Sequence, residues 1–222
     1  DKSVATGADG KWSLYLDAFS ASTEPRVLTA TGKDGRTIKV QDVLVGEVWL
    51  GSGQSNMEMS VGSAKDFEAE KAVANFPLIR YYGESSGTAE KAVEEKKDLP
   101  PKPTDVLAIR KRKGPPGGLY NGKIFNLAPF TLRGILWYQG ESNAGNPVLY
   151  HKLLTELVTS WRSLWNDQLP FAWVQLPSFA SPGESWPRMR EAMLKTLDLP
   201  LTGMAVTIDI GEAKNIHPTN KQ

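Results

Sequence analysis

The chain has 222 residues, 26 Lys+Arg against 25 Asp+Glu, a net charge of +1 and 40% hydrophobic residues. Charge so evenly balanced gives no electrostatic case for nucleic acid or an anionic membrane as the main partner, and the composition is that of a globular protein. There is no cysteine and there are only two histidines, His151 and His217, which excludes disulfide scaffolds, thiolate metal sites and a thiol nucleophile, and leaves too few ligands for a His-rich metal centre.

From the N-terminus, Trp12–Leu16 and Arg36–Val40 alternate apolar and polar residues between turn-forming stretches such as Gly32–Gly35. A period of two with such punctuation predicts antiparallel strands. Residues 1–42 are therefore read as a short β-rich segment, the remnant of a β-sandwich, and residues 43–222 as a second domain. The chain opens on Asp1-Lys2 without a signal-type segment and reads as a mature form or an excerpt of something longer. The longest apolar run, Val43–Leu50, is broken by Glu47 and falls short of the ~20 residues of a membrane helix.

From Val45 the pattern changes to strands alternating with helices. Gly46–Leu50 predicts a buried strand, Ala64–Asn75 an amphipathic helix and Leu78–Tyr82 another strand. Residues 88–118 are a charge run, a Pro-rich stretch and the basic Arg110–Lys113, which together suggest a solvated helix and a surface loop. Gly134–Tyr138 is a short apolar strand. Asn146-Pro147 then opens the clearest helix, with Asn at the cap, Pro in the first turn and a stripe of Leu149, Leu153, Leu157, Trp161 and Leu164. Phe171–Leu176 predicts a strand, Trp186–Leu197 a helix and Met204–Ile208 the last strand. Alternation of this kind argues for an α/β fold with a doubly wound parallel sheet and helices on both faces.

Ligands of such sheets bind at the carboxyl ends of the strands. The first of those ends carries Gly51-Ser-Gly-Gln-Ser55-Asn-Met, the next Gln139-Gly-Glu141-Ser-Asn143, and the last Asp209 to His217. These are groups suited to acyl transfer. Ser55 can act as a nucleophile if a base takes its proton, and glycines at 51 and 53 allow a sharp turn with room for an oxyanion beside main-chain N–H groups. His217, in a loop before Pro218, is the natural base, whereas His151 lies inside a helix and reads as structural. A carboxylate to orient the imidazole is sought among Glu141, Asp209 and Glu212, with Glu141 first. Lys214 and Asn215, three and two residues before His217, cannot serve.

The blocks Gly46–Met59, Leu119–Asn121, Trp137–Asn143 and Asp209–Lys221 together resemble the sialate O-acetylesterase-like branch of the SGNH hydrolases, which includes carbohydrate and acetylxylan esterases. The resemblance implies a three-layer, flavodoxin-like catalytic domain over 43–222 and a serine esterase that removes O-acetyl groups from carbohydrates through an acetyl-serine intermediate. It implies Ser55 as nucleophile, His217 as base and Glu141 as acid. Gln54, Gln139, Gly140, Asn143 and Asn121 would supply oxyanion or substrate contacts, with no metal or organic cofactor. An acetylated carbohydrate is the implied partner, with no nucleic acid and no membrane insertion, in a periplasmic or extracellular setting. The stretch between Tyr82 and Leu119 is shorter than in the family. A non-catalytic carbohydrate-binding protein on the same fold is the alternative reading, since seven Trp and six Tyr could stack on sugars as well as fill a core.

Overall fold

The computed structural model describes residues 1–83, 117–128 and 130–221. Most of the charged and Pro-rich stretch 88–118 lies outside them. The chain divides into two compact units, one of residues 1–48 with 75–82, the other of residues 49–74 with 83–222.

In the first unit, β1 (Ser22–Thr31) pairs antiparallel with β2 (Thr37–Val45), Thr31 facing Thr37 across the turn. Gly35 has φ +81°, in the left-handed region, and the Asp34 carboxylate accepts from the Arg36 N–H, which together close the connection. The turn thus falls where Gly32–Gly35 predicts it. The predicted strand at Trp12–Leu16 does not form; Trp12 and Tyr15 lie exposed, because among the described residues no neighbouring strand pairs with that stretch. Leu78–Tyr82 is likewise not a strand. Pro77 precedes it, the Ile79 N–H closes a turn onto Phe76 O, and Arg80 forms a fork with both Asp42 oxygens, at 3.0 and 2.9 Å.

The second unit is built on a four-stranded sheet of β3 (Trp49–Gly53), β4 (Gly134–Tyr138), β5 (Phe171–Val174) and β6 (Thr202–Ala205), all parallel and ordered as in the chain. The β4 bounds are those the sequence predicts. β3 begins three residues later than Gly46 and β6 two residues before Met204, because register against the neighbour, Trp49 to Gly134 and Phe171 to Thr202, decides which residues join a short parallel ladder.

The described α-helices are α1 (Ser55–Glu58), α2 (Phe67–Val73), α3 (Phe125–Leu127), α4 (Pro147–Trp165) and α5 (Ser185–Lys195). α2 starts later than Ala64 because Asp66 sits at φ 59°, which no helix interior tolerates. α4 begins as its sequence signals predict: the Asn146 side chain accepts from the Leu149 N–H and Pro147 occupies the first turn. Its buried ridge is Tyr150, Leu154, Val158 and Trp161: Trp161 lies on the predicted stripe, whereas the first three lie one position on from Leu149, Leu153 and Leu157, which flank the ridge half-buried with Leu164. Side chains lean toward the helix N-terminus, so the residue covering a given spot lies about one position later.

Ile135, Trp137, Phe171 and Trp173 share one face of the sheet through the ladder register and pack with α4 and α5. Trp161 meets Trp137 edge-on at 6.0 Å and Phe171 at 6.1 Å, and Met189 and Met193 are fully buried in the same cluster. On the opposite face, Leu136, Ala172 and Val174 line an open groove of about 590 Å³ with Met57, Met59 and Val61. Gly140 lies against Leu176, whose side-chain atoms stand 3.3–3.5 Å from where a Cβ would be.

Candidate active site

The carboxyl ends of β3, β4 and β6 feed the loops that carry the expected residues. Ser55 is exposed on the first turn of α1, and its Oγ lies 2.7 Å from His217 Nε2. Those two residues are 162 positions apart in the chain, so the contact is made by the sheet and not by local sequence. A hydroxyl at this distance from an imidazole nitrogen can lose its proton as it attacks.

His217 sits in a tightly bonded loop. Asn215 accepts the His217 N–H on Oδ1 and donates from Nδ2 to the His217 carbonyl, at 2.9 and 2.8 Å. Glu212 accepts the Thr219 N–H at 2.6 Å, the Thr219 hydroxyl at 3.1 Å and the Asn215 amide at 3.3 Å. Asn215 is thus turned onto the main chain of His217 rather than its ring. An Asp there would set a carboxylate against a carbonyl and Glu212.

None of the three carboxylates named from sequence hydrogen-bonds the His217 ring. Glu141 Oε1 accepts from Asn56 Nδ2 at 2.5 Å, while its Oε2 is buried without a hydrogen-bond partner. Glu212 is spent on the loop, and Asp209 makes no hydrogen bond to the imidazole. The hydrogen bond from Thr219, ahead of those from Asn215 and the Thr219 hydroxyl, holds Glu212 below its ordinary value of 4.5. A lowered carboxylate contributes stability that is present above its unfolded value and is lost as pH falls through the folded one. E212Q is therefore expected to melt at a lower temperature than the wild type at pH 7, with the gap closing below about pH 4. A gap that stays constant with pH, in thermal melts from pH 3 to 7, would show that the charge of Glu212 does not clamp this loop.

The amides named for oxyanion or substrate contacts form a chain. Gln139 Nε2 donates to Gln54 Oε1 at 3.0 Å and to Asn143 Oδ1 at 2.8 Å. Both amide protons of Gln139 are thereby used, and the carbonyl ends of Gln54 and Asn143 are taken, which leaves the NH2 groups of those two as the free donors of the set. The Gln54 N–H is committed to Tyr138 O at 3.1 Å. Asn121 is buried in a π-helical turn, Tyr120–Ile124, with its side-chain oxygen unpartnered. Its side chain makes no hydrogen bond to Ser55, His217 or Glu141.

Three residues that sequence reasoning passed over organise this rim. Tyr150, on the buried ridge of α4, donates to Gln139 O at 2.5 Å and accepts from Trp137 Nε1; burial, reinforced by the Glu141 charge, raises its hydroxyl pKa. Asn56 is buried next to the serine, donates to Ile216 O at 2.8 Å as well as to Glu141, and accepts from Lys221 Nζ at 2.8 Å. Burial, with the Glu141 charge, pushes the neighbouring Tyr138 to about 12. Only the place of Asn56 beside Ser55 could have marked it. His151 bonds Thr196 at 3.0 Å, consistent with the structural reading. Among the described residues no three His, Cys, Asp or Glu side chains form a metal-binding group, and no helix is long and apolar enough to cross a membrane.

Residues 119–222 match the family described as carbohydrate esterase, sialic acid-specific acetylesterase. Over 95% of its length the chain is 28% identical to the sialate O-acetylesterases of Pongo abelii and Homo sapiens, covering 58% of each. Over 47% of the chain it is 36% identical to the Mus musculus protein of that name, covering 23% of it. Among solved structures it matches the crystal structure of a carbohydrate acetylesterase from Xanthomonas citri, with a TM-score of 0.77 and 32% identity over 96% of this chain and 61% of that one. The chain spans less than two thirds of these relatives. The primate alignments run over 305 positions against 222 residues here, so those relatives carry segments without a counterpart in this chain.

Proposed function

We propose that this chain belongs to the sialate O-acetylesterase-like branch of the carbohydrate acetylesterases, as its similarities support, and that it hydrolyses O-acetyl esters of carbohydrates with Ser55 as nucleophile and His217 as base. The observation that carries the proposal is the 2.7 Å contact between Ser55 Oγ and His217 Nε2 at the carboxyl edge of a parallel sheet. In the first step Ser55 Oγ attacks the acetyl carbonyl carbon while His217 takes the hydroxyl proton. The oxyanion so formed faces the free amide donors of Gln54 and Asn143, and its collapse expels the sugar oxygen, which receives the proton from His217. Water then attacks the acetyl-serine with His217 again as base, and acetate leaves as Ser55 regains its proton. The reading takes no help from a carboxylate bonded to the imidazole, so the serine and histidine work as a pair.

The substrate is read from the relatives' names, sialic acid-specific and carbohydrate acetylesterase. The compartment, periplasmic or extracellular, is read from the family likeness alone. Acetate release from O-acetylated sialic acid, acetylated xylan and 4-nitrophenyl acetate tests the reaction and the substrate class in one assay. Turnover of at least one acetylated sugar is expected, with longer acyl esters of the same alcohol turned over more slowly. Sugar binding without acetate release from any of the three would end the esterase reading.

A further inference from the structure

We propose that Lys221 and Asn56 are positioning residues for the Ser55–His217 pair: the Lys221 ammonium fixes the Asn56 amide, and that amide ties the two neighbouring loops to the residue after the nucleophile. The proposal rests on the esterase reading above. Asn56 is only 5% exposed and covalently follows Ser55. Its two amide protons go to different loops, one to Glu141 Oε1 after β4 and the other to Ile216 O, the peptide that carries His217. Its carbonyl accepts from Lys221 Nζ. One side chain thus joins all three segments that meet at the site, and both of its donors are used.

The orientation of that amide is set by charge. Turned over, it would place its carbonyl oxygen against a carboxylate and a carbonyl, and its NH2 against an ammonium. Lys221 is the group that makes the reversed form unfavourable from the third side. It also answers a deficit: Glu141 Oε2 is buried without a hydrogen bond, and a carboxylate so placed needs a cation nearby. The charges of Glu141 and Glu212 both act on Lys221, opposing the partial burial that lowers its pKa, and its ammonium lies 5.4 Å from the centre of the Tyr138 ring. Neither residue hydrogen-bonds Ser55 Oγ or the His217 ring, so their influence on those groups passes through the loops.

The experiment is steady-state hydrolysis of 4-nitrophenyl acetate by the wild type, S55A, N56A, K221M, K221R and the double variant N56A/K221M, with a melting curve for each. N56A is expected to lose about 100-fold in kcat, the scale of a small misplacement of reacting groups. K221M is expected to lose about 10-fold, the worth of one charge-assisted hydrogen bond, and K221R to recover most of that loss. KM should stay within about twofold throughout, since only ground-state binding would move it alone. Because Lys221 acts through Asn56, the double variant should be no worse than N56A. Additive losses, an effect confined to KM, or K221M at the wild-type kcat would each overturn the proposal. If N56A fails to fold, K221M and K221R still decide it. If the wild type and S55A release acetate equally, the esterase reading fails by itself, and the positioning claim is then read from the rate at which a fluorophosphonate labels Ser55, with the same order of variants expected.

Discussion

Replacing Ser55 by alanine is expected to lower turnover of an acetyl ester by about 10,000-fold or more, and His217→Ala by a similar factor, because a nucleophile and its base act as a unit. The double variant should be little worse than either single one, since each replacement already removes the 2.7 Å contact proposed to carry the proton. Melting temperatures should barely move, as Ser55 is exposed and its side chain fills no cavity. His151→Ala is the matching control: its ring bonds Thr196 within the helical layer, so turnover should stay near that of the wild type while stability drops modestly. Acetate release from S55A within tenfold of the wild type, measured at saturating substrate, would remove the serine mechanism.

The largest structural effect is expected from Gly53→Ala. A Cβ at that position would lie 2.1 Å from Tyr138 O and 2.7 Å from Tyr138 C, both backbone atoms of the adjacent strand. Neither can swing aside as a flexible side chain would, so β3 and β4 must separate where the nucleophile loop leaves the sheet. The register Gly53 to Tyr138 and the bond from Gln54 N–H to Tyr138 O both depend on this approach. A loss of about 3 kcal/mol or more is expected, at the upper end for overpacking, with activity falling as the Ser55 loop shifts. Gly51→Ala serves as the contrast, because its Cβ would meet nothing nearer than Met57 Sδ at 3.6 Å, an ordinary contact. Chemical unfolding of both variants separates the two cases, and equal stability would refute this account of the Gly-Ser-Gly turn.

How far the sequence could be read depended on whether a residue's role is local. The Asn146 cap, the Pro147 first turn and the Gly134–Tyr138 strand are set by neighbours in the chain, and the structure has them where the pattern predicts. Trp12–Leu16 and Leu78–Tyr82 carry strand patterns but form no strands, since alternation signals a ladder only when another strand comes to meet it. The Ser55 and His217 pairing was legible because only two histidines exist and one lies in a loop at the right edge. The partner of Glu141 was not. That carboxylate meets Asn56, 85 positions away, and not the imidazole, a contact that depends on side-chain directions across three loops which no spacing rule encodes. Tyr150 escaped for a related reason: an aromatic residue on a buried helix ridge looks like core until its hydroxyl is seen bonded to Gln139 O.

The separation of 162 positions between Ser55 and His217 makes the proposed hydrolysis a gauge of the whole second unit. β3 brings the hydroxyl and the segment after β6 brings the imidazole, so β4 and β5 must be in register between them before the two can touch. Damage anywhere across that ladder is felt at a bond it does not contain. Turnover per molecule therefore reports the fraction of chains whose central strands are correctly stacked, which spectroscopic helix content alone would miss.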